Sequence, residues 1–461
     1  MAAITLSLEV ILHSIFKGKK MDLFPISLSF SPLLPPGLDP LEGKETPHRR
    51  RNLARKGRKA MEPISFVLLT GLMTVLAGEG ETPRLLCPLL PPKIRVDGLV
   101  EAAEWERASA MSGLVRLGEE RLEDGLTTFW VAADGEALYV AVRMPLPPKA
   151  KPKVGVTQHD GPVWEDDAVE VFIDPGRSQR NYFQFIGNSA GTKWESRGQD
   201  GSWDAPWDFR ATVHEGRWEA ELRLPFASLG VPPPQPGEVW GFNLCCDRQT
   251  PWRELLSWAP LQKGFHEPQR FGELVFERGA SRVQLLLEGR PSGGRVRLTG
   301  RAFLETAPLQ MRLTVQQEGR KVAESQAFTG PGQEAVVRWE GGLPKSPLAP
   351  GLYRVAFEVL TQEREPRLLT KVALPLRVEP PLVLTLHPFY LVAKRLQVDV
   401  AVKGVEVPLE ELALRLEVRR AEDGKEVGEQ GVERIPDTAQ TTVEFDTTDW
   451  PAGRYVLVAR A

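Results

Sequence analysis

The sequence predicts an all-β protein of several sandwich domains, and three observations carry that expectation. From Lys93 onward, short runs rich in β-branched and aromatic residues alternate with turn clusters: Leu126 to Val131, Ala137 to Val142, Val169 to Ile173, Tyr182 to Ile186, Trp218 to Leu224, Val239 to Leu244 and Glu273 to Phe276. Runs of that length between turn residues read as strands of a sandwich. The 40 Pro and 41 Gly are spread along the chain, and long amphipathic helical periods are hard to find after residue 125. Finally, 461 residues exceed what one sandwich core can serve, so the chain divides into roughly three domains.

The elements follow in chain order. Ile64 to Ala77 (ISFVLLTGLMTVLA) is an apolar run too short to span a bilayer comfortably, and it follows the basic stretch Arg49 to Lys59. Residues 1–78 are therefore read as a leader with a signal peptide whose apolar core is 64–77, cleaved near Ala77 or Gly78. The expected protein is secreted, extracellular or periplasmic, with no membrane insertion after cleavage. Met1 to Pro47 precedes that grammar and carries a Pro-rich stretch that suits no packed element, which places the expected translation start between Arg49 and Met61. A first β-domain is expected over 88–278. Ten of the 12 tryptophans fall between Trp105 and Trp258, more than one core ordinarily uses, so some of those rings are expected to face a ligand.

Beyond Phe276 tryptophan nearly vanishes and Val, Leu and Arg alternate with polar residues. Pro350-Gly351-Leu352-Tyr353-Arg354-Val355 is echoed by Pro451-Ala452-Gly453-Arg454-Tyr455-Val456, the glycines lying 453 − 351 = 102 residues apart. That is about the length of an immunoglobulin-like domain. Two tandem immunoglobulin-like sandwiches, 281–379 and 382–461, are the simplest account, the second ending almost inside its last strand, with Glu379-Pro380-Pro381 as a stiff linker.

Composition narrows the function classes. With 58 Lys plus Arg against 61 Asp plus Glu, the net charge of −3 offers no field for nucleic acid or anionic lipid. Three cysteines, Cys87, Cys245 and Cys246, permit at most one intrachain disulfide. Cys245 and Cys246 are adjacent in a strand and face opposite sides, so one is a core residue and the other the candidate partner of Cys87. Gly187-Asn188-Ser189-Ala190-Gly191 fits the pattern of a hydrolase nucleophile elbow, but no helical period follows it, as that elbow requires. The four histidines beyond the leader, His159, His214, His266 and His387, stand at no metal-ligand spacing. No catalytic constellation emerges and no cofactor is required. The acidic turn Asp166-Asp167 is the candidate for a structural calcium ion.

Alternate strand residues share a face, so Val169, Val171 and Ile173 point one way, into a core, and Glu170 points the other. On the neighbouring run Phe183 and Phe185 face the core, while Gln184, Ile186 and Asn188 share the side of Glu170. A carboxylate and two amides thus gather on one surface. Such groups, beside flat rings, suit the hydroxyl edges and C–H faces of a sugar. The same Glu170 could instead be a solvated strand residue paired with a Lys or Arg.

Several segments then carry a family resemblance. Val96-Asp97-Gly98, Glu101 and Trp105, followed by Trp164-Glu165-Asp166-Asp167-Ala168-Val169-Glu170-Val171-Phe172-Ile173-Asp174, resemble the two most telling stretches of family 9 carbohydrate-binding modules and their relatives. Gln184-Phe185 with Asn188, Trp240-Gly241-Phe242-Asn243, Ser257-Trp258 and Phe265-His266-Glu267-Pro268-Gln269-Arg270-Phe271-Gly272 continue the series in order, over about Lys93 to Phe276. The resemblance implies a non-catalytic β-sandwich that binds a poly- or oligosaccharide. It implies that Trp164 and Phe265 wall the ligand, and that Glu170, Gln184, Asn188 and Gln262 bond its hydroxyls. His266 follows the second aromatic, where an arginine is often found, and Ile186 takes the place of another arginine. By resemblance alone, the module accompanies glycoside hydrolases in polysaccharide breakdown or attachment, its later domains serving as spacers or protein-docking modules. The competing expectation is a structural or interaction module of the same fold whose cleft is filled by its own side chains or grips protein or another cofactor such as haem.

Overall fold

In the computed structural model the described residues are 5–12, 82–90, 94–342, 347–380, 382–387, 394–403, 412–436, 439–451 and 453–460. The apolar stretch 64–77, with the signal peptide and cleavage site assigned to it, lies outside them. The protein is all-β, its few helices reduced to single turns such as Ala102–Trp105 and Phe226–Leu229.

The first sandwich has two sheets. In the front sheet the antiparallel order is Lys193–Arg197, Phe183–Asn188, Ala168–Asp174, Val239–Arg248, Glu254–Ser257. The back sheet runs Asp208–His214, Arg217–Pro225, Ala137–Pro145, Thr128–Ala133, Ser109–Ser112. Between them lie Val169, Val171, Ile173, Phe183, Phe185, Phe242 and Leu244 from the front and Val140, Val142, Ala220 and Leu222 from the back, as alternation requires. Each large aliphatic side chain fully buried there stabilises the fold by about 1.5–3 kcal/mol. Strand 168–174 is buried at every position, unlike the half-buried alternation of Arg395–Val402, because loops also cover its outer face. That covered outer face is where the cleft forms.

The expected boundary at 278–281 is a change of strand within one continuous core, which extends from Leu85 to Val378. Arg282–Arg290 pairs in parallel with Ser109–Ser112 and so prolongs the back sheet into Arg295–Phe303 and Glu334–Gly341. Arg84–Leu89 pairs in parallel with Gly272–Arg278 and touches Leu368–Val378 through Arg84 and Lys371. It thereby joins the first unit to the sheet Arg320–Thr329, Leu309–Gln317, Gly351–Thr361, Leu368–Val378. Asp124 accepts from Ser292 N (2.8 Å) and Oγ (2.6 Å), and Arg121 meets Glu379 at 2.5 Å, so polar bonds fix the same seam.

The third unit has its own core. Its sheets are Leu382–His387, Arg395–Val402, Gln440–Asp446 and Glu426–Val432, Leu414–Arg420, Gly453–Arg460. Thr5–Leu12, within the stretch read as a leader, pairs antiparallel along Gly453–Arg460. The sequence echo has a structural counterpart. The Tyr353 hydroxyl donates to the Ala349 carbonyl (3.1 Å), and the Tyr455 hydroxyl donates to that of Pro451, each four residues upstream.

All three cysteines are buried and free. Cys87 and Cys246 lie in the main core and Cys245 faces the cleft side, so the alternation holds while the expected pairing with Cys87 does not form. Burial holds all three thiols protonated, well above their usual range.

Candidate saccharide cleft

Register assembles the site from strands distant in sequence. Glu170 lies opposite Ile186 on one side and Cys245 on the other, Ile186 lies opposite Trp194, and Asp247 lies opposite Ala168 and Leu255. Side chains of one face thus form rows across five strands. Above them opens a cavity of about 300 Å³ lined by Trp164, Trp194, Phe265 and His266 at its sides and by Glu170, Gln184, Ile186, Asp247, Arg253 and Leu255.

The walls differ in construction. Trp164 sits on the single 3₁₀ turn Val163–Glu165, anchored by buried Val163, and remains 41% exposed. The ring of Trp194 braces it edge-on at 5.5 Å and 83°. Opposite, Phe265 is only 9% exposed and packs edge-on against Phe172 at 6.5 Å. His266 meets the Tyr182 hydroxyl through Nδ1 at 2.8 Å. Burial lowers the His266 pKa, which favours a neutral ring near pH 7. The cleft therefore has one presented indole and one largely sunken aromatic wall.

On the floor a chain of hydrogen bonds runs from Ser196 Oγ to Gln184 Oε1 (3.2 Å) and from Gln184 Nε2 to Glu170 Oε2 (2.7 Å). The next neighbour is the carboxyl of Asp247, diagonal to Glu170 on the adjoining strand. Two buried carboxyls so placed resist ionising together. Burial raises the Glu170 pKa against the bond from Gln184. Burial and the charge of Glu170 raise that of Asp247 well above the usual carboxylate range. Glu170 is thus no solvated strand residue paired with a cation.

Of the residues expected to contact a sugar, the structure brings Trp164, Phe265, Glu170, Gln184 and His266 into one cavity. Asn188 is corrected. It shares their face but lies fully buried, donating to Val156 O (2.8 Å) and Asp166 Oδ2 (3.0 Å) and accepting from Ala190 N and Thr192 N, so its amide is fully used inside the protein. Gln262 is also corrected: it is exposed outside the cavity, where Glu267 accepts its backbone N–H at 2.9 Å to shape the loop. Trp194, Asp247, Arg253 and Leu255 line the cavity and were not anticipated. For Asp247 the available signal was its alternation with Cys245, and for Trp194 its alternation with Ser196.

The acidic turn is a clamp, not a cation site. Asp166 accepts from Gly155 N (2.7 Å), Val156 N (2.9 Å) and Asn188, and Asp167 from Lys153 N (2.6 Å), Gln249 N (2.9 Å) and Thr250 Oγ1 (2.8 Å). Three of the four carboxylate oxygens accept two donors each, which leaves a calcium ion one open lone pair, on Asp166 Oδ1, where it needs about six or more oxygen ligands. A separate group, His159, Asp160 and Glu195, brings its ligand atoms within 4.8 Å of one another, but Glu195 is already bonded by Trp207 Nε1 at 2.8 Å. Ser189 is buried in the turn between strands 183–188 and 193–197, and a strand follows it, so the motif makes a hairpin instead of a nucleophile elbow.

No curated protein matches the chain. Among solved structures, a family 9 carbohydrate-binding module from Caldicellulosiruptor kristjanssonii in complex with cellotriose is 16% identical, covering 42% of this chain and 94% of that one, with a TM-score of 0.34. The same kind of module from that organism in complex with glucose is 16% identical over 42% and 96%, also at 0.34. A tetra-tandem repeat from the extending region of a large adhesion protein is 9% identical, covering 74% of this chain and 66% of that one, at 0.17. Residues 96–278, the stretch that builds the cleft, match the family model described as carbohydrate family 9 binding domain-like.

Proposed function

We propose that the first sandwich binds a saccharide in this cleft without cutting it. The observation that carries the reading is the open cavity itself, in which an exposed, braced indole faces Phe265 and His266 over a carboxyl and amide floor. A sugar ring has an apolar face for Trp164 and hydroxyls for Glu170, Gln184 and Asp247. The match of residues 96–278 to a carbohydrate-binding family supports this reading. Space between Trp164 and Phe265 also disfavours a cleft filled by its own side chains. A non-catalytic role fits the floor, because glycosidases place their two carboxyls about 5–10 Å apart across a bond. Glu170 and Asp247 instead lie on one floor of the cavity, diagonal to each other on adjoining strands.

The protein in this reading is secreted, by way of the apolar segment 64–77, and serves polysaccharide degradation or attachment, on its own or as an accessory to a glycoside hydrolase. The two later sandwiches, immunoglobulin-like in their repeat and paired tyrosines, hold the cleft away from a surface or dock a partner. N-terminal sequencing of protein recovered outside the cells, and from a cell lysate, checks the export step. A mature terminus near Ala77 or Gly78 supports it.

Binding is tested by titrating intrinsic tryptophan fluorescence with glucose and cello-oligosaccharides. Trp164→Ala removes the presented stacking face and should weaken affinity by about tenfold or more. A wild-type response that the variant reproduces unchanged would place the sugar elsewhere.

A further inference from the structure

Beneath its aromatic walls the cleft has a floor built around two neighbouring carboxyls, Glu170 and Asp247. Asp247 is 4% exposed and lines the cavity, and its Oδ2 is buried where no hydrogen-bond donor among the described residues reaches it. Its near neighbour is Glu170, diagonal on the adjoining strand and itself buried, which accepts from Gln184 Nε2 at 2.7 Å. Directly across from Glu170 stands Ile186, which carries no charge. The other titratable or charged groups around the pair are Arg253 from the hairpin, Asp167 ahead of strand 168–174, the thiol of Cys245 on the cleft side and that of Cys246 on the core side, and His266 across the cavity. Arg253 is the sole lysine or arginine among the cavity-lining residues.

A neutral sugar makes little use of such a pair, since one carboxylate or one amide can receive each hydroxyl. An ammonium brings three donors, no acceptor and a positive charge, so it can bond both carboxyls at once. The rings above add a cation–π surface. We propose that the cleft selects a saccharide with a free amine, an amino sugar of the glucosamine type, whose ammonium seats between Glu170 and Asp247. This rests on the saccharide-binding reading of the same cleft. On binding, the ammonium takes the place of a proton that the buried pair retains. The proton leaves to solvent, both carboxyls end ionised, and the ligand's charge balances the floor with no covalent bond made or broken in the sugar.

The experiment compares three trimers with one β-1,4-linked skeleton: cellotriose, the fully deacetylated glucosamine trimer and the N-acetylglucosamine trimer. Titrations at about pH 5.5 keep the sugar amine charged. The glucosamine trimer should bind at least about tenfold more tightly than either neutral trimer, as a charge-assisted bond outweighs a neutral one. Calorimetry of the wild type in two buffers of different ionisation heat should show proton release with the glucosamine trimer only. Asp247→Asn should bring the affinity ratio of glucosamine trimer to cellotriose close to one. If cellotriose binds in a Trp164-dependent manner while the glucosamine trimer is no tighter, or binds without releasing protons, the amino-sugar inference falls and saccharide binding stands. If no trimer binds, or all bind equally to Trp164→Ala, the saccharide cleft itself is wrong.

Discussion

Asp167 is the clamp on which the cleft depends, and its removal has a cost that can be worked from its bonds. The side chain is fully buried and accepts from Lys153 N at 2.6 Å, Thr250 Oγ1 at 2.8 Å and Gln249 N at 2.9 Å. These donors come from the loop that leads to Trp164 and from the hairpin that carries Arg253. Asp167→Ala leaves three donors facing a void. At about 1–3 kcal/mol for each unsatisfied buried group, less what water entering from the loop ends recovers, the loss should be about 3–5 kcal/mol. Urea denaturation followed by tryptophan fluorescence measures it. The same variant should weaken saccharide binding, because both cleft margins lose their tether. Chelator should leave wild-type stability unchanged, since N–H and O–H donors already occupy both acidic residues of the turn. A loss below about 1 kcal/mol would refute the clamp, and a large chelator effect would restore a cation to this turn.

Two further outcomes follow from the packing and the floor. A Cβ on Gly187 would lie 2.2 Å from the ring of Phe209, so Gly187→Ala should cost about 1–3 kcal/mol, with part recovered in a Gly187→Ala, Phe209→Leu double variant. The double-mutant cycle in urea reads the coupling, and strictly additive losses would show that the ring moves aside freely. Glu170 and Asp247 have folded-state pKa values above their unfolded ones, so the stability they lend is complete below about pH 4 and declines as pH rises through the raised values. The slope reaches about 1.4 kcal/mol per pH unit for each proton retained by the folded state. Asp247→Asn removes the repulsion, so its stability relative to wild type should rise between about pH 5 and pH 7, and parallel stability curves would contradict the raised values.

The faces of the cleft strands were legible because alternation is local. Val169, Val171 and Ile173 had to oppose Glu170 whatever lay beside them, and the structure places them in the core with Glu170 on the cleft floor. Trp164 was legible through the segment that resembles a known family. Less of the site could be read where it depends on which strands become neighbours. Asp247 meets Glu170 because strand 239–248 lies against 168–174 in one register, a pairing across more than seventy residues that no local pattern states. The domain seam was hidden for the same reason. The loss of tryptophan after Phe276 marks a new unit, yet both sheets cross that point through Ser109–Ser112 and Arg84–Leu89, each contributed from far upstream.

Asn188 shows the limit of reading a face. Its position on strand 183–188 aims it to the same side as Gln184, as expected, and that direction with the family resemblance made it a sugar ligand. Whether a side chain on that face reaches the cavity depends on what the loops lay over it, and here Val156 O and Asp166 arrive from the loop that also presents Trp164. The amide is therefore spent on holding the wall in place. Gln184 sits further along the same strand, clear of that loop, so its amide is free to orient Glu170. One strand thus supplies a brace and a floor residue from the same face, and the difference between them is set by loop closure. A binding defect in an Asn188 variant should accordingly come with lost stability, whereas a Gln184 defect should act through the carboxyl pair.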